Sequence, residues 1–176
     1  LEILHPQITP LRNTRSDLNS NSIVIRLMHG ENCFLFTGDA EEPTEHSLVQ
    51  KGLETCNVLK VAHHGSNHSS TTSFLNAVKP DIAVISLGVD NQYGHPGEDT
   101  MSRLKRTGAQ IYRTDTQGTI KLISNGKKVT VSTEGKGTTP TKRAVVIAAS
   151  DNKDKENASV DQAEKFDLNT ATASQL

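Results

Sequence analysis

The sequence has little of what builds a large apolar core. Of its 176 residues, 3% are aromatic and 34% are hydrophobic, and tryptophan is absent. A fully packed globule of this length carries more apolar residues, so part of the chain is expected to lie outside a core. No apolar run reaches the roughly 20 residues that cross a bilayer, and no signal-peptide pattern begins at Leu1.

The net charge is small, and the sequence has only 2 cysteines. The net charge of -1 excludes a basic field over the whole chain as the means of holding nucleic acid. The cysteines, Cys33 and Cys56, match neither a disulfide framework nor a CxxC zinc pattern, so both are expected to be unpaired. Cys33 lies in an apolar strand pattern and is interpreted as a small core residue. The first residue is not methionine, and we expect the chain to be a piece of a longer protein.

Composition divides the chain near Ser132. Before this residue, short apolar segments alternate with turn signals, which indicates a folded body over residues 1–132. Residues 133–165 hold acidic and basic residues in balance with almost no aromatics, which is typical of a flexible, disordered linker. An apolar patch at 144–149 interrupts the linker and is interpreted as a stray strand. All 7 histidines precede the linker, so we expect the chemistry in the body.

The body is predicted to be mixed α/β, with a sheet covered by helices. Strands are predicted over residues 22–27, 33–37, 58–62, 82–87, 110–114, 119–123 and 128–132. Helices are predicted over residues 43–52, 72–78 and about 99–107. The Asn125-Gly126 pair, between the last two strands, is a strong hairpin signal.

Residues that bind metals follow three of these strands. Asp39 follows the second strand, His63 and His64 follow the third, and His95 lies in the loop after the fourth. Strand ends on one sheet edge converge, and a carboxylate with imidazoles suits Zn²⁺, Mn²⁺ or Fe²⁺ rather than Ca²⁺. The sequence therefore predicts a metal site. Each signal alone has a plainer interpretation, since an aspartate after a strand forms turns and paired histidines are commonly exposed.

The remaining histidines do not share this placement. His29 lies in a predicted turn, and His46 lies on a helix that also carries Glu41, Glu42 and Glu45. Both histidines are expected to be exposed. His68 is close in sequence to the histidine pair and is a candidate for hydrogen-bonding to the metal ligands and fixing their orientation.

Five short motifs, taken in order along the chain, are similar to those of a known protein family. They are NS at 21–22, TGDAE at 37–41, LKVAHHGS at 59–66, YGHP at 93–96 and RTDTQGT at 113–119. Over residues 1–132 the sequence resembles the metallo-β-lactamase-like domain of ComEC-type DNA-internalisation competence proteins and their free-standing hydrolase relatives. The HHGS and YGHP motifs together are fairly specific, whereas TGD occurs throughout the superfamily.

The resemblance implies an αββα sandwich with one or two hydrolytic metal ions, Zn²⁺ or Mn²⁺. It implies that Asp39 is a bridging carboxylate, that His63 and His95 are ligands, and that His64 and His95 handle protons. The sequence leaves open which of His63 and His64 faces the metal. Ser66 and Asn67 have donors for phosphate oxygens. The implied activity is metal-dependent cleavage of DNA phosphodiesters in competence; the alternatives are a non-catalytic DNA-associated scaffold and a small-ester or lactone hydrolase.

Two departures from the family pattern matter. The His-x-His-x-Asp-His run of the superfamily does not occur, so the resemblance implies only the second half of the domain, with the N-terminal half as its missing partner. The chain alone is therefore expected to be inactive, with an exposed sheet face and marginal stability. Residues 17–22 also lack the histidine that many members carry there. His5 can replace it only if the intervening loop folds back, which we do not expect.

The C-terminus carries a second likeness. Residues 166–176 resemble the opening of a ComEA-type helix-hairpin-helix module, which binds the DNA backbone, although an ordinary helix end is the plainer interpretation. The competence likeness implies an extracytoplasmic, cell-surface or secreted location.

Overall fold

The computed structural model describes residues 1–135 and the strand at 145–148. The strands are β1 (Glu2–His5), β2 (Val24–His29), β3 (Asn32–Phe36), β4 (Val58–Lys60), β5 (Ile82–Ile85), β6 (Gln110–Arg113), β7 (Ile120–Ser124), β8 (Lys128–Thr133) and β9 (Val145–Ala148). The helices are α1 (Asp17–Ser20), α2 (Glu42–Gln50), α3 (Thr72–Val78), α4 (Glu98–Thr107) and α5 (Thr114–Gln117). A 3₁₀ turn covers Ala62–Gly65. The prediction of a mixed α/β fold is confirmed.

The main sheet runs in sequence order from β1 to β6. Strands β1, β2 and β3 are antiparallel, and β3 to β6 are parallel. The parallel register aligns Leu35 with Leu59, Leu59 with Ala83 and Ala83 with Ile111. Because the parallel strands end at the same edge, the loops after β3, β4 and β5 lie side by side, as the sequence predicts.

The main sheet is covered on its two faces by different elements. One face packs against the helices through a core that includes Leu35, Leu59, Phe74, Ile85 and Leu104. The opposite face packs against the hairpin of β7 and β8, which adds the second cluster of buried side chains, namely Val58, Ile82, Val129 and Val131. The hairpin turns at Asn125-Gly126, as predicted, and β9 pairs with β8, so the patch interpreted as a stray strand does form one.

Sequence patterns miss the shortest elements. Strand β1 and helices α1 and α5 have 4 residues each, too few to show a period of 2 or 3.6. The predicted strand at 58–62 ends at Lys60, because the chain turns sharply at Ala62–Gly65. Ile3, on β1, is 63% exposed; it pairs with Ile25, and part of the sheet is thus open at this edge.

The cysteines are paired, and the prediction that both are free is wrong. Cys33 of β3 and Cys56, just before β4, form a disulfide with Cα atoms 4.8 Å apart. Both residues are buried, so the interpretation of Cys33 as a core residue is confirmed. The pairing depends on the parallel alignment of β3 with β4, which brings together residues that are 23 positions apart. A separation of that size carries no disulfide signature in a sequence.

Several predictions lie outside the described residues. They are the linker where it covers 136–144 and 149–165, and the helix-hairpin-helix opening at 166–176. Among the residues that the structure describes, none of the helices is both long enough and apolar enough to cross a membrane.

Candidate active site

The loops that follow β3 and β4 are tied together at the edge of the sheet. The His63 N–H donates to the Gly38 carbonyl (3.0 Å), and the Asp39 N–H donates to the Ser22 hydroxyl (3.1 Å). Gly38 has φ +51, and a Cβ on it would lie 3.1 Å from the Ser22 Cβ. This close approach fixes Asp39 beside the histidine pair and accounts for a glycine before it.

Both histidines of the pair have left-handed backbone. His63 has φ 48 and His64 has φ 53, a region that non-glycine residues avoid at a cost of about 1–3 kcal/mol each. The turn is held by the Ser66 N–H, which donates to the His63 carbonyl at 2.8 Å. The strained turn directs two consecutive imidazoles into one region, with ring centroids 6.4 Å apart.

The side chains predicted to form the site do gather there. Nε2 of His64 lies 3.7 Å from Oδ1 of Asp39, and the ring centroids of His63 and His95 are 5.6 Å apart. Within residues 1–135, however, no three His, Cys, Asp or Glu side chains are arranged to hold one metal ion. The roles of these residues as ligands and proton carriers therefore stay predictions.

His64 faces Asp39 with a defined nitrogen. Its Nδ1 lies 2.7 Å from the carbonyl oxygen of Ser86. Since a carbonyl only accepts hydrogen bonds, Nδ1 carries the proton, and in the neutral ring Nε2 presents its lone pair to the Asp39 carboxylate. The two atoms are 3.7 Å apart and both side chains are about half exposed, so a proton on Nε2, a water molecule or a cation can lie between them.

His95 is held by the loop between β5 and α4. The side chain of Asn91 accepts from the His95 N–H (2.9 Å) and donates to the His95 carbonyl (2.8 Å). Burial, followed by the nearby His63 and His64, lowers the pKa of His95 below its usual value. Its ring is therefore neutral at pH 7 and offers a lone pair.

Glu41 belongs to this site, although sequence reasoning did not single it out. The residue is 1% exposed, and its Oε1 accepts from Arg15 and from Nδ2 of Asn19 (3.0 Å). The same oxygen lies 3.3 Å from Nδ1 of His63, a buried atom with no aligned hydrogen bond among the described residues. A buried carboxylate behind an imidazole fixes the orientation of the ring. The TGDAE motif was the available signal.

The acidic face of α2 is not uniformly exposed. Glu42 and His46 are exposed, as expected, but Glu45 is 1% exposed and accepts from the N–H groups of Ser70 and Thr71. Burial raises the pKa of Glu45. The helix packs on α3, so one of its acidic sides turns inward, which a count of charges does not reveal.

Three further residues lie near the site in different ways. His5 is fully buried on β1, and its Nδ1 lies 3.0 Å from the carbonyl of Ser22, the residue that also binds Asp39. The chain therefore does fold back here, against expectation. Ser66 is 2% exposed, and its carbonyl accepts from the Thr100 hydroxyl. Asn67 accepts from the Thr100 N–H, and phosphate binding by Ser66 and Asn67 stays a prediction.

The outer histidines are exposed. His29 is exposed, as expected, with its Nδ1 2.9 Å from the Ser124 hydroxyl. His68 is also exposed and close enough to act electrostatically on His95.

Fold and site together define an α/β domain with a carboxylate and several imidazoles at the carboxyl edge of a parallel sheet. No family model matches the chain. It is 40% identical over 117 residues to Competence protein ComA of Neisseria gonorrhoeae, and 39% identical over 121 residues to Recombination protein 2 of Haemophilus influenzae. It is 35% identical over 104 residues to ComE operon protein 3 of Bacillus subtilis.

These matches cover more than half of this chain but little of each relative. They span 65%, 68% and 58% of this chain, and 17%, 15% and 13% of the respective relatives. The chain is therefore related to a segment of competence proteins.

Proposed function

We propose that this chain is the second half of a metallo-β-lactamase-like αββα domain that hydrolyses DNA phosphodiesters with divalent metal ions during competence-related DNA uptake. Two layered sheets with helices on one outer face support the architecture. The relatives' names support the competence context.

The observation that carries the proposal is the facing of His64 and Asp39. Zinc binds imidazole nitrogen and carboxylate oxygen at about 2.0–2.2 Å, so one ion can reach two atoms that lie up to roughly 4 Å apart. The 3.7 Å between His64 Nε2 and Asp39 Oδ1 is within that reach. These residues fit a Zn²⁺ or Mn²⁺ ion, and His64 takes the ligand position more readily than His63 does.

The neighbouring residues then have separate tasks. A bound divalent ion lowers the pKa of a water molecule to about 7 and neutralises charge on phosphate oxygens. His95, kept neutral by burial and by its histidine neighbours, can accept a proton from the attacking water and then, as imidazolium, give it to the leaving oxygen. Glu41 orients His63 from behind. The Cys33–Cys56 disulfide supports an extracytoplasmic location, because disulfides persist in oxidising compartments.

Metal binding tests the proposal directly. Titration calorimetry with Zn²⁺ and Mn²⁺ should show binding to the chain and to an Asp81→Asn control, whose exposed carboxyl lies outside the site. Binding should be lost in Asp39→Asn and strongly weakened in His64→Ala. Equal binding by all variants would contradict the assigned site.

Nuclease assays test the reaction. A protein extended N-terminally to include a His-x-His-x-Asp-His run should cleave DNA in a metal-dependent manner, whereas the 176-residue chain should not. Robust cleavage by the chain alone would show that the site is misplaced.

A non-catalytic scaffold is the second candidate function. It is favoured by the lack of a three-ligand group within residues 1–135. An extended protein that binds DNA but contains no metal by elemental analysis would support it.

A further inference from the structure

We propose that the cavity beside the candidate active site receives one unstacked base of single-stranded DNA, with Tyr93 as its stacking surface. The inference rests on the proposed function, because it places a nucleotide next to Asp39 and the histidines. It adds a base-binding subsite and a preference for unpaired DNA.

The Tyr93 side chain is exposed to solvent rather than packed in a core. Its side chain lies at the tip of the loop between β5 and α4 and is 84% exposed. The loop has a defined shape, since Asn91 is hydrogen-bonded to both backbone groups of His95 and donates to the Gly88 carbonyl (3.3 Å). An aromatic ring held at the surface by an ordered loop presents a flat face for a ligand.

The ring is also aligned with the site. The planes of Tyr93 and His95 are within 19° of parallel, and their centroids are 6.0 Å apart. Aromatic rings stack at such separations, and a planar base in the cavity can extend this arrangement against the Tyr93 ring. His95 in turn meets His63 edge to face, with ring centroids 5.6 Å apart, so the aromatic contacts reach the candidate active site.

The cavity has the size and lining that a base requires. Its volume is about 330 Å³, and its walls include Leu87, Ser86 and Asn91 besides the two rings. Small-molecule sites of this size combine apolar walls with a few polar groups. A nucleobase matches this lining, because its faces are apolar and its edges carry hydrogen-bond donors and acceptors.

The cavity and the candidate active site share two side chains, His64 and His95. A base in the cavity therefore brings its own phosphate toward Asp39. This continuity separates the proposed subsite from an incidental surface depression.

The small net charge favours DNA binding by base stacking rather than by electrostatic attraction to the phosphate backbone. The chain has a net charge of -1, so a broad basic field does not supply affinity. Base–aromatic stacking supplies it independently of sequence, and only an unpaired strand exposes the base faces. Duplex DNA, whose bases are covered by their neighbours, should not use the subsite.

Tyrosine fluorescence gives a clean readout, because the chain has no tryptophan and 2 tyrosines, Tyr93 and Tyr112. A short oligothymidylate should quench the emission of the wild-type chain and of Tyr112→Phe, which retains Tyr93. The same oligonucleotide should not quench Tyr93→Phe, although this variant should bind equally well by fluorescence anisotropy of a labelled strand.

Removal of the ring should weaken binding. Tyr93→Leu should bind the labelled oligonucleotide roughly 5- to 150-fold more weakly, the range that base stacking on one aromatic residue contributes. An abasic oligonucleotide of the same length should bind wild type and Tyr93→Leu alike, and a duplex should not quench Tyr93.

The outcomes separate the two proposals. Equal binding of normal and abasic strands, unaffected by Tyr93→Leu, overturns the base subsite and leaves the phosphodiesterase proposal in place. Absence of any oligonucleotide binding also overturns the base subsite, while the phosphodiesterase proposal is tested separately by cleavage with the extended protein. Quenching by duplex as strong as by single strands overturns the preference for unpaired DNA.

Discussion

Replacing Glu41 by glutamine exchanges a buried carboxylate beside His63, at the candidate active site, for a neutral amide. Oε1 of Glu41 accepts hydrogen bonds from Arg15 and Asn19 and lies close to Nδ1 of His63, and the Glu41 side chain is 2% exposed. Glutamine has the same shape and keeps a carbonyl oxygen, so the hydrogen bond from Asn19 survives. The charge-assisted contacts with Arg15 and His63 are the ones that weaken.

The expected loss of stability follows from the exposure of the partner. Breaking a fully buried ion pair costs about 3–5 kcal/mol, because a charge is left without compensation. The Arg15 side chain is 50% exposed and returns to water, so its charge is not stranded. Loss of one charge-assisted hydrogen bond costs about 1.5–3 kcal/mol, and we expect about 2 kcal/mol for Glu41→Gln.

Urea unfolding followed by circular dichroism measures the change. With m of about 1–3 kcal/mol per molar urea, the midpoint should fall by roughly 1 M. Glu42→Gln is the matched control, since this neighbouring residue is exposed and its substitution should change stability by less than about 0.5 kcal/mol. Equal midpoints for the two variants would refute the role assigned to Glu41.

Three further predictions concern the packing around the site. Gly65→Ala should destabilise the fold by several kcal/mol more than Gly52→Ala in urea unfolding, because both have φ near +80 but only at Gly65 would a Cβ meet Pro96, at 2.7 Å. Reduction of the disulfide should lower the free energy of unfolding by about 3 kcal/mol, and an unchanged melting temperature under reducing conditions would contradict this. Burial raises the folded pKa of Glu45, so its stabilising contribution is full below the unfolded value of 4.5 and is lost as the pH rises through the folded pKa. The free energy of unfolding of Glu45→Gln, relative to that of wild type, should therefore increase from pH 4 to pH 8. A difference that stays constant over this range would contradict the raised pKa of Glu45.

Local sequence patterns were sufficient for the longer elements. The strands of the parallel sheet are dense in β-branched and aliphatic residues, and helix α3 begins and ends where its threonine cap and its apolar period predict. The hairpin turn at Asn125-Gly126 follows from a backbone preference of two residues. Such features depend on neighbours along the chain, which is why the sequence reveals them.

The candidate site was predictable for a related reason. The ends of parallel strands must meet at one edge, so the sequence predicts that Asp39, the His63-His64 pair and His95 lie close together, as they do in the structure. The sequence could not indicate which imidazole faces the carboxylate, because that choice depends on the left-handed turn at His63 and His64 and on the Ser86 carbonyl.

The sequence by itself determined the α/β class, the order of most strands and helices, and the edge at which polar residues meet. Only the tertiary structure decided the pairing of Cys33 with Cys56, the burial of Glu41 and Glu45, and the return of His5 to the side of Ser22. The physical reason is the same in each case. These contacts join residues that are distant along the chain, and their free energy depends on which groups water can no longer reach once the layers have packed.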